Sequence, residues 1–185
     1  MRVGFIGAHG TGKTSLSKEL LRREYFSDYI FVPSSSRNLS KRLGTSTKAS
    51  IQDQLAITLS RITDEEVYSQ NGRRNILSER TPLDSLAYTT YQAKNVWGPD
   101  SDWVEEVSAG AVQRAMRDYD VLCYFPTYWP VEDDGLRELD ADYQKMIGVY
   151  CTMWFNRFGI KPYIMQNEPV DKRADHLISW MKRRM

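Results

Sequence analysis

An octapeptide near the start of the chain limits the possible folds more than any other feature of the sequence. It reads Gly7-Ala8-His9-Gly10-Thr11-Gly12-Lys13-Thr14 and fits the pattern G-x-x-x-x-G-K-[ST]. An apolar run at residues 2–6 precedes it and is typical of a buried strand, and residues 15–21 have a helical pattern. Strand, glycine-rich turn and helix is the arrangement of a phosphate-binding P-loop, so the sequence predicts that loop at residues 7–14.

The residues of this loop have distinct expected roles toward a bound nucleotide. Glycines let backbone N–H groups converge on phosphate oxygens, and the N-terminus of the following helix adds partial positive charge. Lys13 is expected to reach the β- and γ-phosphates, and the Thr14 hydroxyl to ligate Mg²⁺. The predicted nucleotide-binding residues are Gly7, His9, Gly10, Thr11, Gly12, Lys13, Thr14 and Ser15. The structural alternative is a tight glycine turn with an exposed lysine.

Length and composition are those of an ordinary globular protein. The 185 residues are 41% hydrophobic and 26% charged, so we expect one core and a single domain over residues 1–185. No apolar run approaches the roughly 18 residues of a membrane span, and the first strand begins too early for a signal peptide. These features favour a cytoplasmic location. The net charge of +1 argues against a large nucleic-acid-binding surface.

The chain contains too few cysteines and histidines for a disulfide framework or a histidine-rich metal site. Cys123 and Cys151 both lie in apolar segments, which indicates buried thiols in a reducing compartment rather than a disulfide or a metal site. His9 and His176 are the only histidines, so a histidine-rich metal site is excluded.

Strand-like and helix-like segments alternate along the chain, which predicts an α/β fold with a parallel sheet of five strands flanked by helices. The predicted strands lie at residues 2–6, 29–32, 75–78, 121–125 and 162–165. The predicted helices lie at residues 15–21, 50–70, 103–116, 139–158 and 170–181, and a further one begins at Pro82. Residues 34–49 are interpreted as a loop with a short helix. In such sheets ligands bind beyond the carboxyl ends of the strands.

Glu79 and Arg80 directly follow the third predicted strand. An acidic residue beside a P-loop can hold Mg²⁺ or accept a proton from an attacking hydroxyl, and an arginine can clamp a phosphate or carboxylate. Glu79 is therefore a candidate catalytic and metal-binding residue, and Arg80 a candidate catalytic and substrate-binding residue. An ion pair that caps the next helix is the alternative.

The segment that begins there, Glu79-Arg80-Thr81-Pro82-Leu83-Asp84-Ser85-Leu86-Ala87-Tyr88, resembles the Asp-Arg…Ser-Leu-Ala-Tyr segment of thymidylate kinases. Its Glu-Arg start is similar to the Glu-Arg-Ser motif of deoxynucleoside kinases. More broadly, the chain resembles the small P-loop nucleoside and nucleotide kinases, including NadR-like and bacteriophage ATP-binding proteins. The resemblance implies a three-layer P-loop kinase fold with a short lid, ATP and Mg²⁺ as cofactors, and an acceptor contact for Arg80. Asp84 and Tyr88 join the predicted substrate residues.

The sequence departs from these families at three places. Thymidylate kinases have Asp where Glu79 stands and a tyrosine where Thr81 stands. Deoxynucleoside kinases place a glutamate base after the second strand, where this chain has serines at 34–36. The missing base favours either Glu79 as base or an acceptor that is already a phosphate. Arg37 would hold that phosphate, or is simply a surface arginine.

The helix predicted at residues 50–70 carries a polar stripe beside its apolar face. The apolar face is predicted to consist of Ile51, Leu55, Leu59 and Ile62. Gln54, Arg61 and Glu65 share the bordering stripe, from which side chains can reach a cleft. Gln54 is suited to a base edge and Arg61 to a phosphate or ribose. A solvated helix flank is the alternative.

Residues 126–138 are acidic and follow the fourth strand, where P-loop kinases carry a lid. Arg137 is predicted to be the catalytic lid arginine, which offsets charge on the transferred phosphoryl group. Tyr128 and Trp129 would stack on a base or cover the cleft, and ordinary packing is the alternative. Residues 166–169 are expected to surround the adenine, and Arg173 to contact the adenine or the lid.

Three functions fit these residues. The first is an ATP-dependent kinase for a nucleoside or nucleoside monophosphate. The second is a kinase for nucleic acid, at a 5′ end or a hydroxymethylated base in phage DNA, with basic residues 37–48 at the cleft. The third is a nucleotide-driven switch or motor, although the Asp-x-x-Gly and Asn-Lys-x-Asp motifs are missing and 185 residues leave no space for a helical lid domain. Apolar helices at 103–116 and 139–158 would suit a homodimer interface or the core.

Overall fold

The computed structural model describes residues 1–34, 49–69, 75–128 and 140–184 of the chain. Within them, five parallel strands form one sheet in the order β2-β3-β1-β4-β5. The strands are β1 (Arg2–Ile6), β2 (Ile30–Val32), β3 (Ile76–Ser78), β4 (Val121–Tyr124) and β5 (Tyr163–Ile164). The predicted α/β class and five-stranded parallel sheet are confirmed.

Six α-helices flank this sheet in the described part of the chain. They are α1 (Lys13–Leu20), α2 (Ile51–Ser69), α3 (Pro82–Gln92), α4 (Asp102–Ala115), α5 (Ala141–Phe158) and α6 (Val170–Lys182). Short helical turns that the sequence did not predict follow α1 and α3, a 3₁₀ turn at Glu24–Phe26 and a π-helical turn at Ala93–Trp97. No helix in the described ranges is long and apolar enough to cross a membrane.

Strand β1 lies at the centre of the sheet and separates two apolar cores. Its residues alternate between the faces: Val3 and Phe5 join one core, and Ile6 joins the other. Helices α1 and α6 cover the first face, while α3, α4 and α5 cover the second. This is the expected three-layer arrangement.

Gly4 of β1 is required by close packing on the second face. A Cβ at this position would lie 2.3 Å from the ring of Tyr119 and 2.5 Å from the Thr81 side chain. Only glycine fits, and its presence lets Thr81, the N-cap residue before α3, approach the central strand.

Helix α2 buries a different face from the predicted one. Leu59 is 61% exposed, and the other three predicted apolar positions are half-buried. The buried positions are instead Gln54, Ile57, Thr58 and Arg61. The apolar prediction is wrong for Leu59 because α2 meets α3 through polar contacts: Gln54 Nε2 donates to the carbonyl of Ser85 at 3.0 Å.

Both cysteines are buried, as predicted. Cys123 lies in β4 and Cys151 in α5, and burial raises the pKa of each thiol well above its ordinary value. Such thiols are poor nucleophiles, so they pack as small apolar groups. The predicted short helix within 34–49 and most of the predicted lid lie outside the described residues.

Candidate functional site

The P-loop leaves β1 and runs directly into α1, which begins at Lys13. Three of its glycines have positive φ, at 149° for Gly7, 73° for Gly10 and 85° for Gly12. At Gly7 a Cβ would also lie 2.6 Å from the carbonyl oxygen of Phe125. The glycines of the motif are therefore required by backbone geometry and by the proximity of the chain after β4.

Lys13 points into the loop. Its side chain is buried, and the residue is 5% exposed. Nζ donates hydrogen bonds to the carbonyl oxygen of Gly7 at 2.7 Å, to the carbonyl oxygen of Ala8, and to Thr11 Oγ1 at 3.0 Å. Burial lowers the pKa of Lys13 well below its ordinary value, and Arg80 lowers it further. The alternative of a glycine turn with an exposed lysine is wrong, because the amine lies at the centre of the loop.

Glu79 lies at the end of β3 and contacts the P-loop. The Thr14 hydroxyl donates to Glu79 Oε1, and the backbone N–H of Ser34 donates to Oε2 at 3.0 Å. Burial acts to raise the pKa of Glu79, but these hydrogen bonds and the charges of Arg80 and Lys13 outweigh it and lower the pKa. The two predicted metal-binding residues therefore meet, as an ionised carboxylate beside a hydroxyl.

Arg80 is held by protein groups in its immediate surroundings. Nη1 lies 3.2 Å from Asp84 Oδ1, and the guanidinium lies over the Tyr88 ring, 5.9 Å from its centroid. Burial acts to lower the pKa of Arg80, but Tyr88, Asp84 and Glu79 together raise it. The ion pair that the sequence left open as an alternative is present, and its partner is Asp84. The acceptor contact of Arg80 stays a prediction.

Asp84 and Tyr88 have other partners in the structure than the predicted substrate. Asp84 is fully buried, and its oxygens accept hydrogen bonds from Gly7 N at 3.0 Å and Thr81 N at 3.1 Å. The Tyr88 hydroxyl accepts from the backbone N–H of His9 at 3.1 Å. The carboxylate of Asp84 is thus surrounded by protein donors, and its substrate contact stays a prediction.

Gln144 of α5 is a residue of the site that the sequence analysis missed. It is buried, and its Nε2 donates to the carbonyl of His9 at 2.8 Å. The neighbouring Tyr143 ring lies 5.4 Å from the His9 ring, centroid to centroid. One signal in the sequence could have identified it. Gln144 lies three residues before Ile147 on a helix face that is otherwise apolar, and a buried amide side chain needs a hydrogen-bond partner.

Two residues of the polar stripe of α2, Gln54 and Arg61, face the segment around the start of α3 rather than solvent. Gln54 contacts Ser85, and Arg61 Nη1 lies 3.5 Å from the carbonyl of Thr81. Both side chains are buried, so the alternative of a solvated flank is wrong for these two residues. They lie next to the segment that carries Arg80.

Some predicted residues lie outside the described ranges of the chain. The side chain of Glu65 and the whole of Arg37, Trp129 and Arg137 lie outside the described parts of the structure. Their roles stay predictions. Ser15 is described and exposed at the start of α1.

Arg173 brings the segment after β5 against the P-loop. Its Nε donates to the carbonyl of Glu168 at 2.7 Å, and Nη1 lies 3.0 Å from where a Cβ on Gly12 would be. Burial lowers the pKa of the guanidinium. The hydroxyl of Tyr128 donates to the carbonyl of Met165 at 3.1 Å, which ties the chain after β4 to the end of β5. The predicted adenine side therefore borders the loop.

A P-loop on the central strand, a carboxylate directly after the neighbouring strand β3 and the order β2-β3-β1-β4-β5 are the features of a P-loop kinase-like α/β fold. The family model described as an AAA domain matches residues 2–173, from β1 to the first turn of α6. The chain belongs to this AAA domain family.

Solved structures agree with this fold. NadR in complex with NR has a TM-score of 0.74 at 17% identity, over 98% of this chain and 50% of that chain. Deoxyadenosine kinase from M. mycoides with bound dCTP has a TM-score of 0.68 at 14% identity, over 99% of this chain and 100% of that chain. Thymidylate kinase from Candida albicans has a TM-score of 0.64 at 13% identity, over 99% of this chain and 91% of that chain. The chain spans about half the length of the NadR structures. A search of curated proteins found no match.

Proposed function

We propose that this protein is an ATP-dependent phosphotransferase that moves the γ-phosphoryl group to a nucleoside or nucleoside monophosphate. The observation that carries the proposal is the contact between the Thr14 hydroxyl and the Glu79 carboxylate, with Lys13 and Arg80 beside it. A P-loop alone accounts for phosphate binding. A carboxylate and a second, half-buried cation at its rim add the groups that phosphoryl transfer needs.

The donor side consists of the P-loop and the residues that meet it. Lys13 would exchange its loop carbonyls for phosphate oxygens of ATP. Thr14 and Glu79 fit a Mg²⁺ ion, which prefers oxygen ligands and completes its shell with waters and substrate phosphates. In the described residues no cluster of three or more His, Cys, Asp or Glu side chains is placed to hold a metal alone. Bound Mg²⁺ would neutralise charge on the transferred phosphoryl group.

The acceptor side is the region around Arg80, Gln54 and Arg61. Arg80 carries positive charge next to the P-loop, and the two α2 residues lie beside it. Arg37 and Arg137 are proposed to complete the set, as holder of the acceptor phosphate and as lid arginine. In phosphoryl transfer most of the rate comes from positioning and electrostatics, so these cations are expected to matter more than any base.

The lowered pKa of Glu79 bears on the choice of acceptor. A general base works best when its pKa lies near the operating pH, and this carboxylate is shifted the other way. Glu79 is thus better suited to Mg²⁺ than to proton removal. An acceptor that is already a phosphate needs little help from a base, which favours a nucleoside monophosphate over a nucleoside.

The similar structures support the proposed substrate class. NadR is described in complex with NR, and deoxyadenosine kinase with bound dCTP or dATP. The third structure is described as a thymidylate kinase of broad substrate specificity. All of these ligands and names concern nucleosides or nucleotides. Because the identities are 17% or lower, they support the class and leave the base and sugar to experiment.

The test is γ-labelled ATP with a panel of acceptors. The panel holds the nucleosides and deoxynucleosides, nicotinamide riboside, all 5′-monophosphates, and ordinary and hydroxymethyluracil DNA. We expect label on a mononucleoside or mononucleotide, and none with the Lys13→Ala variant. Label on DNA alone would support the nucleic-acid kinase instead. ATP hydrolysis at the same rate with and without every acceptor would support a switch or motor.

A further inference from the structure

Helix α3 reaches back to the P-loop through two side chains that lie one turn apart. Asp84 Oδ1 accepts a hydrogen bond from the backbone N–H of Gly7 at 3.0 Å, and the Tyr88 hydroxyl accepts one from His9 N–H at 3.1 Å. The hydroxyl also lies 3.1 Å from His9 Nδ1. The spacing of four residues places both side chains on the same face of the helix. Two alternate N–H groups in the first half of the loop are therefore held by one helix.

The same two side chains contact Arg80. The oxygen of Asp84 that accepts from Gly7 also lies 3.2 Å from Arg80 Nη1, and the Arg80 guanidinium lies over the ring of Tyr88. Asp84 is fixed in turn, because its second oxygen accepts from the backbone N–H of Thr81 in the capping box of α3. One carboxylate thus joins the loop, the arginine and the start of the helix.

We propose that Asp84 and Tyr88 are positioning residues that fix the first half of the P-loop and set the location of Arg80 relative to it. The inference rests on the proposed function, in which the loop binds ATP and Arg80 faces the acceptor. A loop that is ordered before the nucleotide arrives loses less conformational entropy on binding, so the pair increases donor affinity. The shared carboxylate also keeps the acceptor-side cation at one distance from the loop.

The first experiment compares Tyr88→Phe with Tyr150→Phe in the full chain. Tyr150 is a buried tyrosine of the core that α3 also joins, and its hydroxyl meets the side chain of Asn95 at 3.5 Å. Calorimetric titration with Mg·ADP at a temperature where all variants are folded gives Kd. We expect Kd to rise about three- to tenfold for Tyr88→Phe, the effect of one hydrogen bond, and to stay unchanged for Tyr150→Phe.

A spectroscopic signature separates positioning from a general loss of stability. The backbone amide of His9 loses its acceptor in Tyr88→Phe, so its NMR proton signal is expected to move upfield and to exchange faster, whereas Tyr150→Phe leaves it in place. If Tyr88→Phe lowers Tm but changes neither the Mg·ADP Kd nor the His9 amide signal, the positioning role is wrong.

Variants at Asp84 provide a second and independent measurement. Asp84→Asn keeps an oxygen that can accept from Gly7, and Asp84→Ala removes it. We expect Asn to restore most of the Mg·ADP affinity that Ala loses, together with the Gly7 amide signal. Equal affinity of the two variants would contradict the inference, and if Asp84→Ala does not fold, the Tyr88→Phe result still decides.

The two proposals fail in different ways. If Mg·ADP affinity responds to Tyr88→Phe but no acceptor is phosphorylated, the positioning role holds and the kinase function is wrong. If phosphoryl transfer occurs but affinity ignores Tyr88 and Asp84, the kinase function holds and the positioning role is wrong.

Discussion

Lys13 and Glu79 have opposite charges and both lie at the P-loop, but their surroundings affect their charged forms differently. The amine of Lys13 donates to groups of the loop itself, and burial lowers its pKa. Glu79 receives hydrogen bonds from Thr14 and Ser34, which keep its pKa low despite burial. The cation is thus the more easily neutralised group, and a bound anion such as a phosphate would hold it charged.

Replacing Lys13 tests this centre directly. We expect Lys13→Ala to reduce phosphoryl transfer at least about 10²-fold, because it removes a preorganised charge at the transferred group. Lys18→Ala is the matched control, since Lys18 is an exposed lysine of the same helix. Initial rates with labelled ATP measure the effect, and circular dichroism checks folding. Equal rates for the two folded variants would remove Lys13 from the mechanism.

The pH dependence of stability tests Glu79. Its pKa in the folded state lies below the ordinary value of 4.5, so its ionised form stabilises the protein above that pH. This contribution is lost as the pH falls from about 4.5 through the folded-state pKa. We expect Glu79→Gln to have a lower Tm than the parent at pH 7, and the difference to shrink below pH 4.5.

Thermal unfolding between pH 3 and 7 measures this difference. Glu106→Gln on the exposed side of α4 is the control, and it is expected to follow the parent across the range. A Tm difference for Glu79→Gln that does not change with pH would show that the carboxylate is not held ionised by Thr14 and Ser34.

Among the elements, β1 and α3 are the closest neighbours of the site, and Gly4 lets them approach. We expect Gly4→Ala to destabilise the protein by about 1–3 kcal/mol, because its Cβ overlaps Tyr119 and Thr81. Gly110→Ala is the control in the middle of α4, where a Cβ meets nothing within 4 Å. That change is expected to stabilise by about 0.5–1 kcal/mol.

Denaturant unfolding of both alanine variants gives these free energies. A neutral Gly4→Ala would mean that Tyr119 moves aside easily and that β1 and α3 are not tightly packed. A destabilising Gly110→Ala would indicate that the solvent side of α4 is covered in solution.

The sequence predicted β1, the P-loop and α1 well because neighbouring residues determine them. The buried face of α2 was predicted less well. An apolar spacing indicated Leu59 for the core, yet the helix buries Gln54 and Arg61, whose partners lie on α3. Their burial depends on groups that become neighbours only in the folded chain. A helical period locates a helix but does not identify a polar interface.

The candidate site likewise combines residues that the local sequence predicts with contacts that form only in the folded chain. Glu79 could be predicted because it directly follows a strand, and Thr14 because it is the last residue of the loop motif. The contacts of Asp84 with Gly7 and of Tyr88 with His9 span more than seventy residues and carry no local signal. The resemblance to kinases placed Asp84 and Tyr88 near the site, and the structure shows which atoms they meet.

For the molecule as a whole, ligand binding is expected to stabilise both layers of helices, since the P-loop joins the central strand to α1 and contacts α3. Mg·ADP at 100 times its Kd should add about 2.7 kcal/mol. For a chain of this size that is a rise in Tm of roughly 5–10 °C. Differential scanning calorimetry measures it, with Lys13→Ala as the variant expected to lose most of the rise.

Removal of the metal is the companion measurement. With excess EDTA the rise caused by ADP is expected to shrink, because Thr14 and Glu79 then have no ion to share with the phosphates. The Glu79→Gln variant should respond less to EDTA than the parent does. An identical rise with and without EDTA would mean that the nucleotide binds without a metal at this site.

The central place of β1 also has a consequence for how the chain acquires its shape. Val3 pairs with Leu77 on one side and Val121 on the other, so neither edge of the strand is satisfied by nearby chain. Such long-range pairings are slow to form. Until residues beyond 120 have joined, the apolar strand has an open edge that another chain can occupy. We therefore expect newly made or refolding chains to aggregate through this edge of β1, the strand that later carries the P-loop.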